Sequence, residues 1–426
     1  MPRRFAARQG GRNEGWRIRG RAAHMGSPVR VIYVSYDGAL DPLGASQVVP
    51  YLLGLAEGGV AVALVSFEKL ATWAQMQTRD NLRHRLEGHG IRWRPLRYHK
   101  RPRLAGTLCD ITVGCRAITR EASRFGPTLV HCRGDIATIM ARWAHLPPAA
   151  RLLYDVRGFF ADERVESGSW RRGGAIDRAV RWMEAKNLER ADGVVVLTRH
   201  AAEELRRRRP TLSPLRVIPT CADVSVFRPR STSERPEFGL VYSGSLGTWY
   251  MAEEMVAFAR SAAGVVPGRT LFLTPQLEVL GRLGLTPDWA EIRAVEPGQV
   301  AGWLRRATAL FFFIRPIPSK RASCPTKFAE ALASGLPVIC NRGIGDLDDV
   351  VEREGVGVLV DGFSESDYAS AAERLRRLLQ DPDLSDRCRR LAESRYSVDL
   401  GVNAYQRLYE IMTGAGPACS AGDRTG

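Results

Sequence analysis

One rhythm constrains this chain more than anything else in it. Short runs of almost purely apolar residues recur: "VRVIYVS" at 29–35, "VAVALVSFE" at 60–68, "PTLVHCRG" at 127–134, "ARLLYDVRG" at 150–158 and "ADGVVVLT" at 191–198. Each is followed by a stretch long enough for a helix. The rhythm then repeats with "GLVYSGSLG", "RTLFLTP", "AEIRAVEPG", "ATALFFFIRP", "LPVICNRG" and "VGVLVD". A run without polar alternation is buried on both faces. Strands of that kind belong to parallel sheets covered by helices on both sides. The expected fold class is therefore α/β, with two doubly wound, Rossmann-like parallel-sheet domains.

The stretch 215–238, "LRVIPTCADVSVFRPRSTSERPEF", is rich in proline, serine and charge and reads as the connection between them. We expect an N-terminal domain over 28–218 and a C-terminal domain over 219–395. The amphipathic helix 396–413 should return to the N-terminal domain. A disordered basic arm, 1–27, and a disordered tail, 414–426, should flank the folded part. Ligands bind outside the carboxyl ends of such strands, so those ends should face each other across a cleft.

The 426 residues include 62 Lys and Arg against 46 Asp and Glu, a net charge of +16, most of it from arginine. Such a balance points to an anionic partner, whether phosphate, nucleic acid or an acidic membrane surface. No apolar run approaches the roughly 20 residues that cross a bilayer, and no secretory apolar region opens the sequence. The eight cysteines show no CxxC pair and no metal-like spacing, and read as reduced, mostly buried thiols of a cytoplasmic protein.

Residues 323–340, "SCPTKFAEALASGLPVIC", pose a chemical problem. Pro325 reads as the first residue of a helix. Lys327 then falls in the first turn, where the helix dipole disfavours a cation by about 0.3–1 kcal/mol. A bound anion resolves the conflict, because the first-turn N–H groups of Thr326 and Lys327 are free to receive one. Glu330 follows one turn on, on the same face. The competing reading is a surface Lys327–Glu330 pair worth about 0.2–0.5 kcal/mol.

Elsewhere, Gly44 in the loop 41–46 precedes a helix and would let backbone approach a phosphate or sugar. Strand ends place His131 and Arg133, then Asp155 and Arg157, toward the cleft. His131 reads as a satisfied core histidine. Asp162, Glu163 and Arg164 form either a site cluster or a structural ion-pair network. In 175–191 the residues Ile176, Val180 and Met183 make a core-facing stripe, whereas Trp182 with Arg178 and Arg181 would suit a membrane surface. The run 206–209 ends a helix, where arginines complement the dipole.

The block "SCPTKFAEALASGLPVICNRGIGDLDDVVEREGVGVLVD" resembles the donor-site motif of retaining family 4 glycosyltransferases, which have the GT-B fold. "VIPTCADVSVFRP" resembles the interdomain segment of that family, and "YVSYDGALDPLGASQVVPYLLGLAEGG" its N-terminal loop and helix. "YDVRGFFADERVESG" resembles members that build bacterial surface polysaccharides. The resemblance implies a nucleotide-sugar donor as co-substrate, no metal or other cofactor, and a glutamate on the ribose hydroxyls that maps to Glu330.

Two positions depart from the family pattern. The first glutamate of its E-x7-E motif falls on Ala322. The Arg and Lys that clamp the diphosphate after the first strand of the C-terminal domain are replaced by "YSGSLGTWYM", with Ser245 and Trp249. The loop "IRPIPSKRASCPTK" offers Arg315, Lys320, Arg321 and Lys327 instead; Lys320 and Lys327 are the expected substitutes.

The expected activity is transfer of a sugar from a nucleotide diphosphate to a hydroxyl of a glycan or lipid-linked acceptor, in bacterial surface-glycan or glycolipid assembly. Catalysis would fall to Arg133, Asp155, Arg157 and Lys327. Donor binding would fall to Gly44, Ser245, Lys320, Thr326, Lys327 and Glu330. The protein would be cytoplasmic, with an anionic membrane on its inner face as a further partner and no nucleic acid. Two rival readings are a nucleotide-sugar epimerase of the same architecture and a non-catalytic basic protein binding nucleic acid or glycan.

Overall fold

Among the described residues thirteen strands, all in parallel pairs, form two sheets. The computed structural model describes residues 29–415 except 100, 232, 248, 286 and 287. The expected basic arm at 1–27 and the expected tail beyond residue 415 lie outside the described residues.

The first sheet contains β1 (Arg30–Ser35), β2 (Ala61–Glu68), β3 (Arg92–Arg97), β4 (Leu129–Arg133), β5 (Arg151–Asp155), β6 (Gly193–Val196) and β7 (Leu215–Val217). Their order is β3-β2-β1-β4-β5-β6-β7. The second contains β8 (Phe238–Ser243), β9 (Arg269–Leu273), β10 (Ala290–Arg293), β11 (Ala307–Phe312), β12 (Val338–Asn341) and β13 (Gly357–Val360), ordered β10-β9-β8-β11-β12-β13. Each order reverses once, between β1 and β4 and between β8 and β11. A crevice opens at such reversals, and ligands of doubly wound folds bind there.

The apolar runs form buried strands as expected: β8 and β12 are buried at every residue. Two strands were not anticipated. "RWRPLR" alternates arginine with other residues and contains Pro95; it forms the edge strand β3, where charge and proline keep other strands from adding. β7 comes from the start of the stretch expected to be a linker.

The terminal helix Val398–Thr413 packs on the first sheet, burying Val398, Val402, Tyr405, Leu408, Tyr409 and Met412 among Val31, Leu52 and Leu64. At about 1.5–3 kcal/mol for each large side chain fully buried, that face holds the helix firmly.

Two expectations are corrected. The segment 41–46 is largely helical: a short helix, Pro42–Gln47, breaks at Val48 before the next, Val49–Glu57. The helix Ala175–Arg190 buries its expected apolar stripe only in part: Met183 packs against the core and Val180 is half-buried, but Ile176 is 56% exposed. The fully buried residues are Asp177 and Asn187, and polar anchors add to the hold. Asp177 accepts from Gly173 N and Arg181 Nε, Glu184 from Ala161 N, and Asn187 Nδ2 donates to Asp135 O.

Candidate active site

The carboxyl ends of both sheets line one cleft of about 260 Å3. The N-terminal sheet contributes Asp37, Leu43, Gln47, Arg133 and Arg157. Trp249, Tyr250, Lys320 and 323–326 face them from the other side. The walls are tied together beside the cleft. Glu163 Oε1 accepts from Lys320 Nζ at 2.7 Å, Glu166 Oε2 from Ser319 N at 3.2 Å, and Thr198 Oγ1 donates to Arg321 O at 2.8 Å. Asp346 accepts from Arg199 N and lies 3.0 Å from His200 Nδ1.

On the C-terminal wall the helix Thr326–Ala333 starts one residue later than expected, with Pro325 as its extended N-cap. Its small and apolar residues pack into the core, and Gly335 ends the turn beyond it with a left-handed φ of +73°. The N–H groups of Thr326 and Lys327 meet no acceptor among the described residues, as first-turn groups do without a cap.

Lys327 is 6% exposed, and its Nζ has no hydrogen-bond partner among the described residues. The ammonium stands 3.7 Å from the Tyr250 ring centre and 4.2 Å from that of Tyr242. It also abuts Gly244, where an added Cβ would stand 2.9 Å from Nζ. Burial pulls the lysine well below its ordinary pKa, and the charge of Glu330 opposes that only in part. Burial likewise pushes Glu330 up to about 7, against the pull of Lys327. The two form no ion pair within 4 Å, so the surface-pair reading of Lys327 and Glu330 fails. The cleft is lined by Tyr250 rather than by Lys327 itself: the aromatic ring caps the ammonium.

Lys320 is buried as well, but it is paired with Glu163 and lies 4.1 Å from the Trp249 ring centre. As a free clamp for a diphosphate it is therefore corrected: in this arrangement it bridges the two walls. Ser245 is exposed and is not among the cleft-lining residues; its carbonyl accepts from Tyr242 Oη at 2.8 Å. Gly44 also departs from expectation. It is a buried helical residue whose added Cβ would lie 1.9 Å from Gly38 O, so packing rather than ligand approach demands glycine there. Its neighbours Leu43 and Gln47 reach the cleft instead. Ala322 is buried in an apolar cluster with Tyr154, Val156 and Val196 of the other sheet, which leaves a glutamate no place.

On the N-terminal wall, Arg157 Nη1 lies 3.3 Å from Asp155 Oδ1. Burial pushes Asp155 up, but Arg157, His131 and Arg133 outweigh it and hold the carboxylate well below its usual range. Asp155 also accepts from Tyr405 Oη at 3.3 Å. His131 is fully buried, with Nδ1 2.6 Å from Tyr409 Oη and Nε2 3.5 Å from Asp155 Oδ2. Burial lowers its pKa despite that carboxylate. It is the satisfied core histidine expected, and it steadies Asp155 from beneath. Arg133, at the end of β4, pairs with Asp37 at 3.4 Å from Nη1 to Oδ2, and its charge also favours the Asp155 carboxylate.

Asp162 pairs with Arg181 and Arg208, which makes that residue structural. The cleft residues missed from the sequence are Asp37, Gln47 and Tyr250. Asp37 and Gln47 lie inside a recognised motif block, and Tyr250 in the stretch that departs from the family pattern, so no role attached to any of them. Tyr405 and Tyr409, four residues apart on one helix face, were read only as amphipathic.

Residues 44–221 match the model of the glycosyl transferase 4-like domain, and residues 304–395 that of glycosyl transferases group 1. Both matches are to glycosyltransferase domains, one in each half of the chain, and the fold is GT-B. Over 262 residues it is 27% identical to D-inositol 3-phosphate glycosyltransferase of Corynebacterium jeikeium, covering 55% of this chain and 60% of that one. Over 119 residues it is 35% identical to the enzyme of the same name from Thermomonospora curvata, 27% of this chain and 25% of that one. The matches thus span a quarter to 60% of these relatives' length. Sucrose-phosphate synthase from Thermosynechococcus elongatus shares the fold at a TM-score of 0.66 and 18% identity, covering 91% of this chain and all of that one. Anabaena HepE in complex with UDP and glucose does so at 0.63 and 13%, covering 89% and 99%.

Proposed function

We propose that this protein transfers a sugar from a nucleotide diphosphate to a hydroxyl acceptor with retention of anomeric configuration. The observation that carries the reading is the Lys327 ammonium, buried without an acceptor at the N-terminus of a helix. Anions bind at such termini, and an unsatisfied buried charge is costly unless a ligand answers it.

In this reading the donor's diphosphate sits against the Thr326 and Lys327 amides. Tyr250 swings aside so that Lys327 can reach it. Glu330, one turn on, accepts from the ribose hydroxyls. As the sugar–phosphate bond breaks, negative charge grows on the departing diphosphate, and fixed dipoles and the ammonium stabilise it without reorganising. Arg157, fixed by Asp155, faces this point from the other wall. Closure of the walls excludes water and limits hydrolysis of the donor.

HepE was crystallised with UDP and glucose, and the curated relatives are named for action on inositol 3-phosphate. Both names support a sugar-transfer reaction, and the first a nucleotide donor. We place the reaction in the cytoplasm, in surface-glycan or glycolipid assembly at an anionic membrane. Ile176 and Trp182, each more than half exposed beside Arg178, support that setting. Among the described residues no helix is long and apolar enough to cross a membrane.

The test is titration calorimetry with UDP, GDP, ADP and dTDP, followed by incubation with the matching sugar nucleotides. Binding of one nucleotide, and a product of unchanged anomeric configuration only when acceptor is present, supports the reading. A free epimer formed from donor alone contradicts it.

A further inference from the structure

We propose that Glu163, reaching across from the N-terminal domain, selects the donor's sugar: together with Lys320 it binds two neighbouring hydroxyls of a neutral pyranose. This rests on the donor assignment above and adds the residue and the chemistry that recognise the sugar. The helix Phe160–Glu166 follows β5 and the cleft residue Arg157, and brings Glu163 to the seam between the walls. There Glu163 Oε1 accepts from Lys320 Nζ at 2.7 Å, and an added Cβ on Gly158 would stand 3.2 Å from it. Among the described residues Oε2 has no partner, and the side chain is 26% exposed. Lys320 lines the cleft together with Thr326, whose amide is assigned to the diphosphate. The sugar is the next group along the donor. The Lys320 ammonium also stands 4.1 Å from the ring centre of Trp249, which lines the same cleft.

The chemistry of this seam suits a sugar better than a tie alone. Glu163 and Lys320 cancel in charge, so the pair does not call for another anion. It still offers a free carboxylate oxygen as acceptor and the remaining ammonium N–H groups as donors, and each hydroxyl of a sugar can both donate and accept. Hydrogen bonds to charged groups are the stronger kind. Trp249 adds an apolar face beside them, and ligand pockets combine such faces with a few placed polar groups. Neighbouring bonds already join the walls: Glu166 accepts from Ser319 N, and Thr198 donates to Arg321 O. Both departures from the family pattern also meet here. Trp249 stands in the altered stretch after β8, and Ala322, two residues beyond Lys320, packs against Tyr154 and Val156 of the other wall. Each domain supplies one half of the pair, so the subsite is whole only with the walls together. Sugar recognition and closure then coincide.

The probes are the glucose, galactose and mannose esters of whichever of UDP, GDP, ADP and dTDP the wild type binds, with the monodeoxy analogues of the tightest. All are titrated by calorimetry. In the wild type, loss of one particular hydroxyl should weaken binding at least about tenfold, as expected for a bond to a charged group. In Glu163→Gln that penalty should shrink to about threefold or less, the range of a neutral bond, while affinity for the bare nucleoside diphosphate holds. Glu163→Asp keeps the charge but withdraws it by one methylene, and should also lower the penalty; it keeps the test decisive where Glu163→Gln folds poorly. A role confined to tying the walls gives a different result. Both variants then weaken every analogue by one common factor and leave the penalty at its wild-type value, which overturns the inference. So does a wild type in which no single hydroxyl carries the penalty, or one that binds the glucuronic acid ester more tightly than the glucose ester. Failure of the donor reading shows separately, as a wild type that binds no nucleotide.

Discussion

Replacing Lys327 by methionine should make the protein more stable and less able to bind its donor. The two effects have one origin. The buried ammonium lacks a hydrogen-bond acceptor among the described residues, which costs about 1–3 kcal/mol or more for a charged group. Its contacts with Tyr250 and Tyr242, at 3.7 and 4.2 Å, return about 1–2 kcal/mol. Methionine keeps the length, removes the charge, and gains sulfur–aromatic contacts of about 0.3–1.5 kcal/mol. The net gain is on the order of 1 kcal/mol, a rise in Tm of about 1–3 °C for a chain of this size. A charge-assisted bond from Lys327 to a phosphate is worth about 1.5–3 kcal/mol, so Lys327→Met should weaken nucleotide binding about 10- to 150-fold. Burial depresses the lysine's pKa, Glu330 opposing in part. Anion binding opposes that depression, so affinity should fall as pH rises through the free lysine's value. Titrations at increasing pH should show that fall in the wild type and its loss in Lys327→Met. A variant that loses stability while keeping full nucleotide affinity would refute the reasoning.

Glu330, raised by burial to about 7, should protonate as pH falls through that value and lose its grip on ribose. Nucleotide affinity should then drop on the acid side, and Glu330→Gln should abolish that dependence. Its folded value lies above its ordinary value of 4.5, so its contribution to stability is full below 4.5 and lost as pH rises through about 7; melting curves of Glu330→Gln across that window check the sign. Glu163→Ala leaves the buried Lys320 without its carboxylate, at a cost of roughly 1.5–3 kcal/mol. It should also shift small-angle scattering toward a more open pair of domains; an unchanged profile with unchanged Tm counts against the bridge. Ala322→Glu restores the family's missing glutamate but drives it into an apolar contact between the walls. We expect a loss of at least about 2 kcal/mol and no gain in turnover, and higher activity would show that the packing is not limiting.

The sheets were legible because every core strand is an apolar run without alternation, a pattern that local sequence reports directly. The edge strand β3 was not, because edge protection replaces that pattern with Arg92, Arg94, Pro95 and Arg97. Lys327 was legible as a misfit with its helix dipole. The Tyr250 ring over it was not, since that cap depends on the path of the loop after β8. Gly44 was misread because glycine serves ligand approach and backbone packing equally, and only the 1.9 Å clash at Gly38 O decides between them. Ile176 was misread because an apolar period marks a helix face without saying whether anything covers it. The Glu163–Lys320 bridge joins residues 157 positions apart, beyond the reach of any local pattern.

A crystal structure with a bound nucleoside diphosphate bears most directly on the central claim, that the start of the helix Thr326–Ala333 receives the diphosphate. The account predicts phosphate oxygens within about 3.2 Å of the Thr326 and Lys327 amides and of Lys327 Nζ, with Tyr250 displaced from its place over the ammonium. A diphosphate bound elsewhere, with Lys327 still enclosed by Tyr242 and Tyr250, would contradict it.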